Sequence, residues 1–249
     1  MLAYEVHGPL DAPVVLLGSS LGTTGAMWAP QVAALRRQFR VVAFDHRGHG
    51  GSPVPPGPYA LDDLGQDVVA LLDHLGLARV HYAGLSLGGM VGMWLAAHAS
   101  ARIDRLALLC TAAHLPPAAG WHDRAATVRA AGMGAVADAV VARWFTPGCD
   151  PADVATFTKA LVAIDPEGYA GCCEAIAAMD LRPVLSRITA PTLVIAGEDD
   201  PATPPRLLSA IVDAVEGAAF EVLPDAAHLA NVEQADRVTD LLRRHFTAG

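Results

Sequence analysis

Lysine is almost missing from this chain. Lys159 is the only one, and lysine plus arginine total 17 against 26 aspartate plus glutamate, a formal net charge of −9 over 249 residues. An acidic chain with its charge spread along its length has no basic face to follow a phosphate backbone, which argues against nucleic-acid binding. A small anionic ligand is not excluded, because it responds to local charge in a pocket. No apolar run approaches the ~20 residues needed to span a bilayer, so no membrane partner is expected. The opening Met1-Leu2-Ala3-Tyr4-Glu5-Val6 lacks the basic-then-apolar pattern of a signal peptide, which makes the cytoplasm the expected compartment. Cysteine is scarce too. Cys110, Cys149, Cys172 and Cys173 form no C-x-x-C, and reduced, mostly buried thiols are expected. His46 and His49 have no third ligand at metal-binding spacing, so no metal is expected. Internal repeats are absent.

Apolar residues are plentiful at 53%, so the chain can bury a full core as one large α/β domain or a domain with an insertion. Residues 2–8 alternate and read as a strand ended by Gly8-Pro9. Val14–Leu17, Arg40–Phe44, Val80–Ala83, Ile103–Cys110 and Thr192–Ala196 are short apolar runs, which suit strands buried on both faces. Ala219–Leu223 adds another strand. Helical periodicity marks Leu61–Leu75, Met90–His98, Leu207–Val215 and Val232–Phe246. Strands alternating with helices predict a mostly parallel central sheet flanked by helices. The stretch 115–185 breaks the rhythm. It holds only helical pieces (Arg124–Ala131, Ala135–Phe145, Ala152–Ile164 and Tyr169–Met179) and reads as a helical lid inserted between strands of a core made of 1–114 and 186–249.

Chemistry concentrates at Gly84-Leu85-Ser86-Leu87-Gly88-Gly89. This is a G-x-S-x-G turn between a strand and a helix, the perch an otherwise weak serine nucleophile needs. Two later loops, each following a strand, supply a carboxylate in Glu198-Asp199-Asp200 and an imidazole at His228. The order Ser86, Asp200, His228 gives an attacking hydroxyl, an acid that fixes the tautomer and a proton carrier. The spacing favours Asp200 over Asp199, and both over Glu198. A developing oxyanion needs two preorganised donors. The Leu87 N–H is one. The loop Gly18-Ser19-Ser20-Leu21-Gly22 offers the other, with Ser20 preferred and Leu21 the alternative. His46 and His49 read as turn-bracing residues.

These residues resemble the α/β-hydrolase superfamily and, more narrowly, the 3-oxoadipate enol-lactonase family. The narrower resemblance rests on Gly18–Thr24 (GSSLGTT) with Met27-Trp28, Asp45–Ser52 (DHRGHGGS), Gly84–Gly92 (GLSLGGMVG), Arg143–Pro147 (RWFTP), Asp165–Cys173 (DPEGYAGCC) and Asp225–Glu233 (DAAHLANVE). Most of the superfamily carries a His-Gly pair in the first of these loops, which this chain replaces. The chain opens in what resembles the family's second strand, so the sheet edge is expected to be one strand smaller. Some members are fused to a carboxymuconolactone decarboxylase; ending after its last helix, this chain is expected to carry no such fusion. The resemblance implies hydrolysis of a small lactone bearing a free carboxylate, through an acyl-enzyme and without a cofactor. A related esterase, or a cofactor-free perhydrolase or haloperoxidase-like enzyme, would use the same triad. A non-catalytic binding protein is disfavoured because no triad residue type is missing. A buried carboxylate needs a cation. Arg124, Arg143, Arg129 and Lys159 are candidates, and Trp144, then Trp121 and Met133, are candidate pocket walls.

Overall fold

The structure, a computed structural model, describes residues 1–248. Strands β1 (Tyr4–His7), β2 (Val14–Gly18), β3 (Arg40–Phe44), β4 (Val80–Leu85), β5 (Ile103–Leu109), β6 (Thr192–Gly197) and β7 (Ala219–Leu223) form one seven-stranded sheet in the order β1-β3-β2-β4-β5-β6-β7. Only the edge pair β1–β3 is antiparallel. Strand β1 forms one edge of the sheet. Val15, Leu16, Leu17, Val41, Val42 and the β4 and β6 residues are almost wholly buried, as strands covered on both faces require.

Helices α1 (Ala29–Leu35), α2 (Leu61–His74), α3 (Leu87–His98), α8 (Pro205–Ala214), α9 (Ala230–Glu233) and α10 (Ala235–Thr247) cover the sheet, and α4 (Ala118–Ala131), α5 (Ala137–Val141), α6 (Pro151–Val162) and α7 (Pro166–Ala178) lie between β5 and β6. The arrangement is a mostly parallel sheet flanked by helices with a helical insertion, as the sequence pattern implies. Helix α3 is apolar all round and buried from Leu87 to Ala96, so it belongs to the core rather than a half-wet surface.

Four helical expectations need correction. The single helix expected over Val232–Phe246 is two. Gln234 leaves helical geometry at φ −116°, ψ 46°, and its side-chain amide donates to Pro224 O and Asp225 O at 3.1 Å each. Ala135–Phe145 shrinks to α5, because 3₁₀-type bonds from Arg143 N to Val140 O and Trp144 N to Val141 O tighten and end it. Helix α4 begins six residues before Arg124, at Ala118. Helix α1 is absent from the expected elements, although Pro30 in its first turn is a start signal.

Candidate active site

The chain runs from β2 outward to β3, then crosses back to place β4 on the other side of β2. Loops leaving β2 and β4 therefore part at their C-terminal ends, the crevice where open α/β sheets hold ligands. Gly18 and Gly84 are paired across this edge. The Ser86 backbone sits at φ 56°, ψ −114°, a costly conformation for a residue with a side chain. It is held by Ser86 N donating to Leu109 O at 2.9 Å and by Thr111 Oγ1 donating to Ser86 O at 2.8 Å. The turn leaves no room beneath it. A Cβ on Gly84 would stand 2.2 Å from Gly88 O, and one on Gly88 would stand 2.2 Å from Gly18 O. The glycines of the motif thus let the elbow close against β2.

After β6, Glu198 and Asp199 face solvent, whereas Asp200 is buried. Asp200 Oδ2 accepts from His228 Nδ1 at 2.8 Å and from Thr203 Oγ1 at 2.6 Å. Its Oδ1 accepts from Ala202 N at 2.7 Å and Thr203 N at 3.0 Å. Burial alone would raise the Asp200 pKa, but His228 and the Thr203 hydrogen bonds together hold it below the ordinary carboxylate range. His228 and Ser86 line one cavity of about 130 Å³. Among the described residues no hydrogen bond joins them.

The loop after β2 is pinned at nearly every peptide. Ser19 O accepts from Gly88 N at 3.0 Å and from His46 Nε2 at 3.1 Å. Ser20 O accepts from Thr23 N at 3.1 Å and Thr23 Oγ1 at 2.8 Å, and Gly22 N donates to His49 Nε2 at 3.0 Å. The Ser20 N–H, expected to face the oxyanion, instead donates to Met27 Sδ at 3.3 Å. This corrects the preference for Ser20. The Leu21 N–H has no protein partner among the described residues, and Leu21 lines the cavity. The Leu87 N–H opens α3 and belongs to the first turn, whose donors have no intrahelical acceptor.

The facing wall comes from the insertion. Trp121, Arg124, Arg143, Trp144 and Tyr169 line the cavity; Met133 and Lys159 do not. Arg124 lies over the Trp121 ring at 4.5 Å. Arg143 Nε donates to Ala139 O at 3.1 Å. No carboxylate pairs with either guanidinium among the described residues. Burial, then the like charge of Arg124, pushes the Arg143 pKa below its ordinary value. Arg129 differs: it is exposed and ion-paired with Glu167 and Glu174. Sequence reasoning misses Tyr169 and Thr203, although the aromatic lies inside the DPEGYAGCC stretch. It misses Glu233 as well. Glu233 Oε1 accepts from Thr146 N at 2.8 Å and Thr146 Oγ1 at 2.7 Å, and its Oε2 accepts from Ala227 N at 2.7 Å. Together with Leu229 N on Trp144 O at 2.9 Å, it ties the RWFTP segment to the loop of His228.

An elbow serine at the switch point, an Asp–His pair on the loops after β6 and β7 and a helical insertion between β5 and β6 belong to one class of protein. A profile described as alpha/beta hydrolase fold matches residues 13–143, and the chain belongs to that family as a hydrolase. Within it, the chain is 42% identical over 236 residues to 3-oxoadipate enol-lactonase 2 of Acinetobacter baylyi, covering 94% of this chain and 88% of that protein. The crystal structure of the enol-lactonase from Burkholderia xenovorans LB400 superposes with a TM-score of 0.97 at 44% identity, covering 99% of this chain and 96% of that one. A malate-bound thermophilic esterase from Thermogutta terrifontis matches with a TM-score of 0.92 at 30% identity, covering 98% and 92%. Among the described residues, no helix is long and apolar enough to cross a membrane.

Proposed function

We propose that this hydrolase opens 3-oxoadipate enol-lactone to 3-oxoadipate, a step in aromatic catabolism. The observation that carries the reading is the pair of guanidiniums, Arg124 and Arg143, which line the cavity of Ser86 and His228 with no carboxylate paired to either among the described residues. An uncompensated, half-buried cation pair is costly unless a ligand supplies the anion. A lactone with a free carboxylate meets that need, and the small cavity suits a compact acyl group. The similarity to named enol-lactonases supports the same choice. Residues 115–185 act as the lid of a core made of 1–114 and 186–249.

Ser86 Oγ attacks the lactone carbonyl as His228 Nε2 takes its proton. Asp200 on Nδ1 stabilises the imidazolium. The Leu21 and Leu87 N–H groups receive the oxyanion, with Leu21 replacing Ser20 in that role. Collapse breaks the ring C–O bond, and the imidazolium returns the proton to the departing enol oxygen. The enol is more acidic than an alcohol and leaves readily. Its tautomerisation to the ketone disfavours reclosure. His228 then draws a proton from water, which attacks the ester on Ser86, and the second tetrahedral intermediate releases the carboxylate and the serine.

The likeness to an esterase keeps a simple carboxylesterase as the second reading. A steady-state assay separates them, with enzymatically generated lactone run beside p-nitrophenyl acetate. The lactonase reading expects a far higher kcat/KM on the lactone. Turnover of the aryl ester alone would leave an esterase.

A further inference from the structure

In the loop after β2, Leu21 lines the cavity and its N–H has no protein partner among the described residues, while the carbonyl of the same peptide is held from behind by one residue. In a trans peptide the C=O and N–H point in opposite directions. The direction of the Leu21 N–H is therefore set by whatever holds Ser20 O. Two groups do, both from Thr23: its N–H at 3.1 Å and its Oγ1 at 2.8 Å. Thr23 is buried, and its Oγ1 also lies 3.0 Å from Met27 Sδ, the acceptor of the Ser20 N–H. The neighbouring planes have other anchors. Ser19 O is fixed by Gly88 N and His46, and Gly22 N by His49. Only the plane between Ser20 and Leu21 depends on Thr23.

We propose that Thr23 is a positioning residue for the oxyanion hole, acting through the Ser20–Leu21 peptide. If that peptide turned over, the Leu21 N–H would leave the cavity and the Ser20 carbonyl oxygen would approach it. An oxygen facing a developing oxyanion repels where a donor should attract. The hydroxyl hydrogen bond opposes the turnover and keeps the donor aimed before substrate arrives. Part of the distinctive SSLGTT loop is explained in this way: Thr23 stands three residues after Ser20, the reach of a hydroxyl folding back onto a carbonyl.

This inference rests on Leu21 being the second donor, and the test separates the two. Thr23→Val keeps the shape and removes the hydroxyl. It is expected to lower kcat by roughly 10- to 100-fold, with KM nearly unchanged, because the loss lies in the transition state. Phosphonylation of Ser86 by an aryl phosphonate should slow in parallel. Thr23→Ser should restore most of kcat, and Thr24→Val, at the neighbouring threonine, should leave it intact. If the valine variant does not fold, Thr23→Ala carries the same expectation. An unchanged kcat in folded Thr23→Val or Thr23→Ala, a loss confined to KM, or equal damage from Thr24→Val would overturn the proposal. A backbone ester replacing the Leu21 amide tests the reading beneath it. A fast ester variant removes Leu21 as donor and this role with it. A slow ester variant beside a fast Thr23→Val removes only the role of Thr23.

Discussion

The two walls of the cavity are held in opposite ways. On the core wall, the groups proposed to do chemistry are fixed by the protein itself: Asp200 accepts four hydrogen bonds, and the loop after β2 is pinned peptide by peptide. On the insertion wall, Arg124 and Arg143 line the same space with no ion-pair partner among the described residues. A preorganised wall can stabilise a transition state at no cost of rearrangement. A wall with unmet charge can choose a ligand. Under the proposed function, the contrast divides the labour: the core would supply the reaction and the insertion the substrate preference.

The division is tested most severely on the core side. Ser86→Ala should reduce turnover of lactone and aryl ester alike by about 10⁴-fold or more, while the circular dichroism spectrum stays native. Residual activity near that of the parent would remove Ser86 as nucleophile. Asp200→Asn should cost much of the same rate, because the amide no longer fixes the imidazole tautomer. Asp199→Asn, on an exposed side chain, should stay within about twofold. The reverse ranking would move the acid.

On the insertion side, Arg124→Met and Arg143→Met should each lower kcat/KM for the anionic lactone by roughly 30- to 100-fold, the scale for truncating one partner of a buried charge pair. The loss on an uncharged aryl ester should be far smaller. Equal losses on both substrates would mean that these arginines support the fold and not the choice of substrate.

The core wall is legible in the sequence and the insertion wall is obscure, for physical reasons. Val14–Leu17 and Thr192–Ala196 are apolar without alternation, which is what burial on both faces demands, so residue type alone places β2 and β6. Ser86, Asp200 and His228 then fall at strand ends. The aim of an N–H does not follow from residue type. Ser20 and Leu21 differ by a peptide rotation that Thr23 and Met27 decide, and the preference for Ser20 fails there. The break at Gln234 depends on carbonyls of Pro224 and Asp225, which local periodicity does not register. In the insertion, arginines at 124, 129 and 143 look alike until tertiary contacts separate them.

The brace under the core wall should also be visible in stability. Burial, with the nearby His49 adding, lowers the His46 pKa from the ordinary 6.5 to about 3, while its bond to Ser19 O opposes the shift. The neutral ring is thus favoured in the folded state. The stability it contributes is fully present above pH 6.5 and is lost as pH falls from there toward 3, because the unfolded chain takes up the proton first. The loss approaches about 1.4 kcal/mol per pH unit well below that upper limit. His49 and His245 shift the same way and add to it. Asp200 has the same sign but acts only near the lower carboxylate range. Urea midpoints at successive pH values should therefore fall on acidification, and less steeply in His46→Gln. Identical slopes in parent and variant would show that His46 titrates normally.

The smallest effect gives the finest comparison, because it is made on one helix. Arg124 and Arg129 are five residues apart on α4, hence about 140° apart around its axis. One faces the cavity. The other is exposed and reaches Glu167 Oε2 at 2.7 Å and Glu174 Oε2 at 2.9 Å on α7, while Glu167 Oε1 accepts Gly57 N at 2.8 Å. Arg129 therefore fastens α4 to α7 and to the Pro53–Pro58 loop. Its guanidinium hydrogen-bonds and the Gly57 N–H hold the Glu167 pKa down to about 2. Exposed ion pairs contribute little, so Arg129→Met should cost about 1 kcal/mol of stability and leave KM for the lactone within about twofold. Removing an uncompensated, half-buried cation has the opposite sign: Arg143→Met should unfold at a higher urea concentration than the parent while losing the lactone. One arginine is thus expected to hold the fold without touching function, and the other to serve function against stability. Equal and same-signed shifts in the two variants would erase the distinction between the walls.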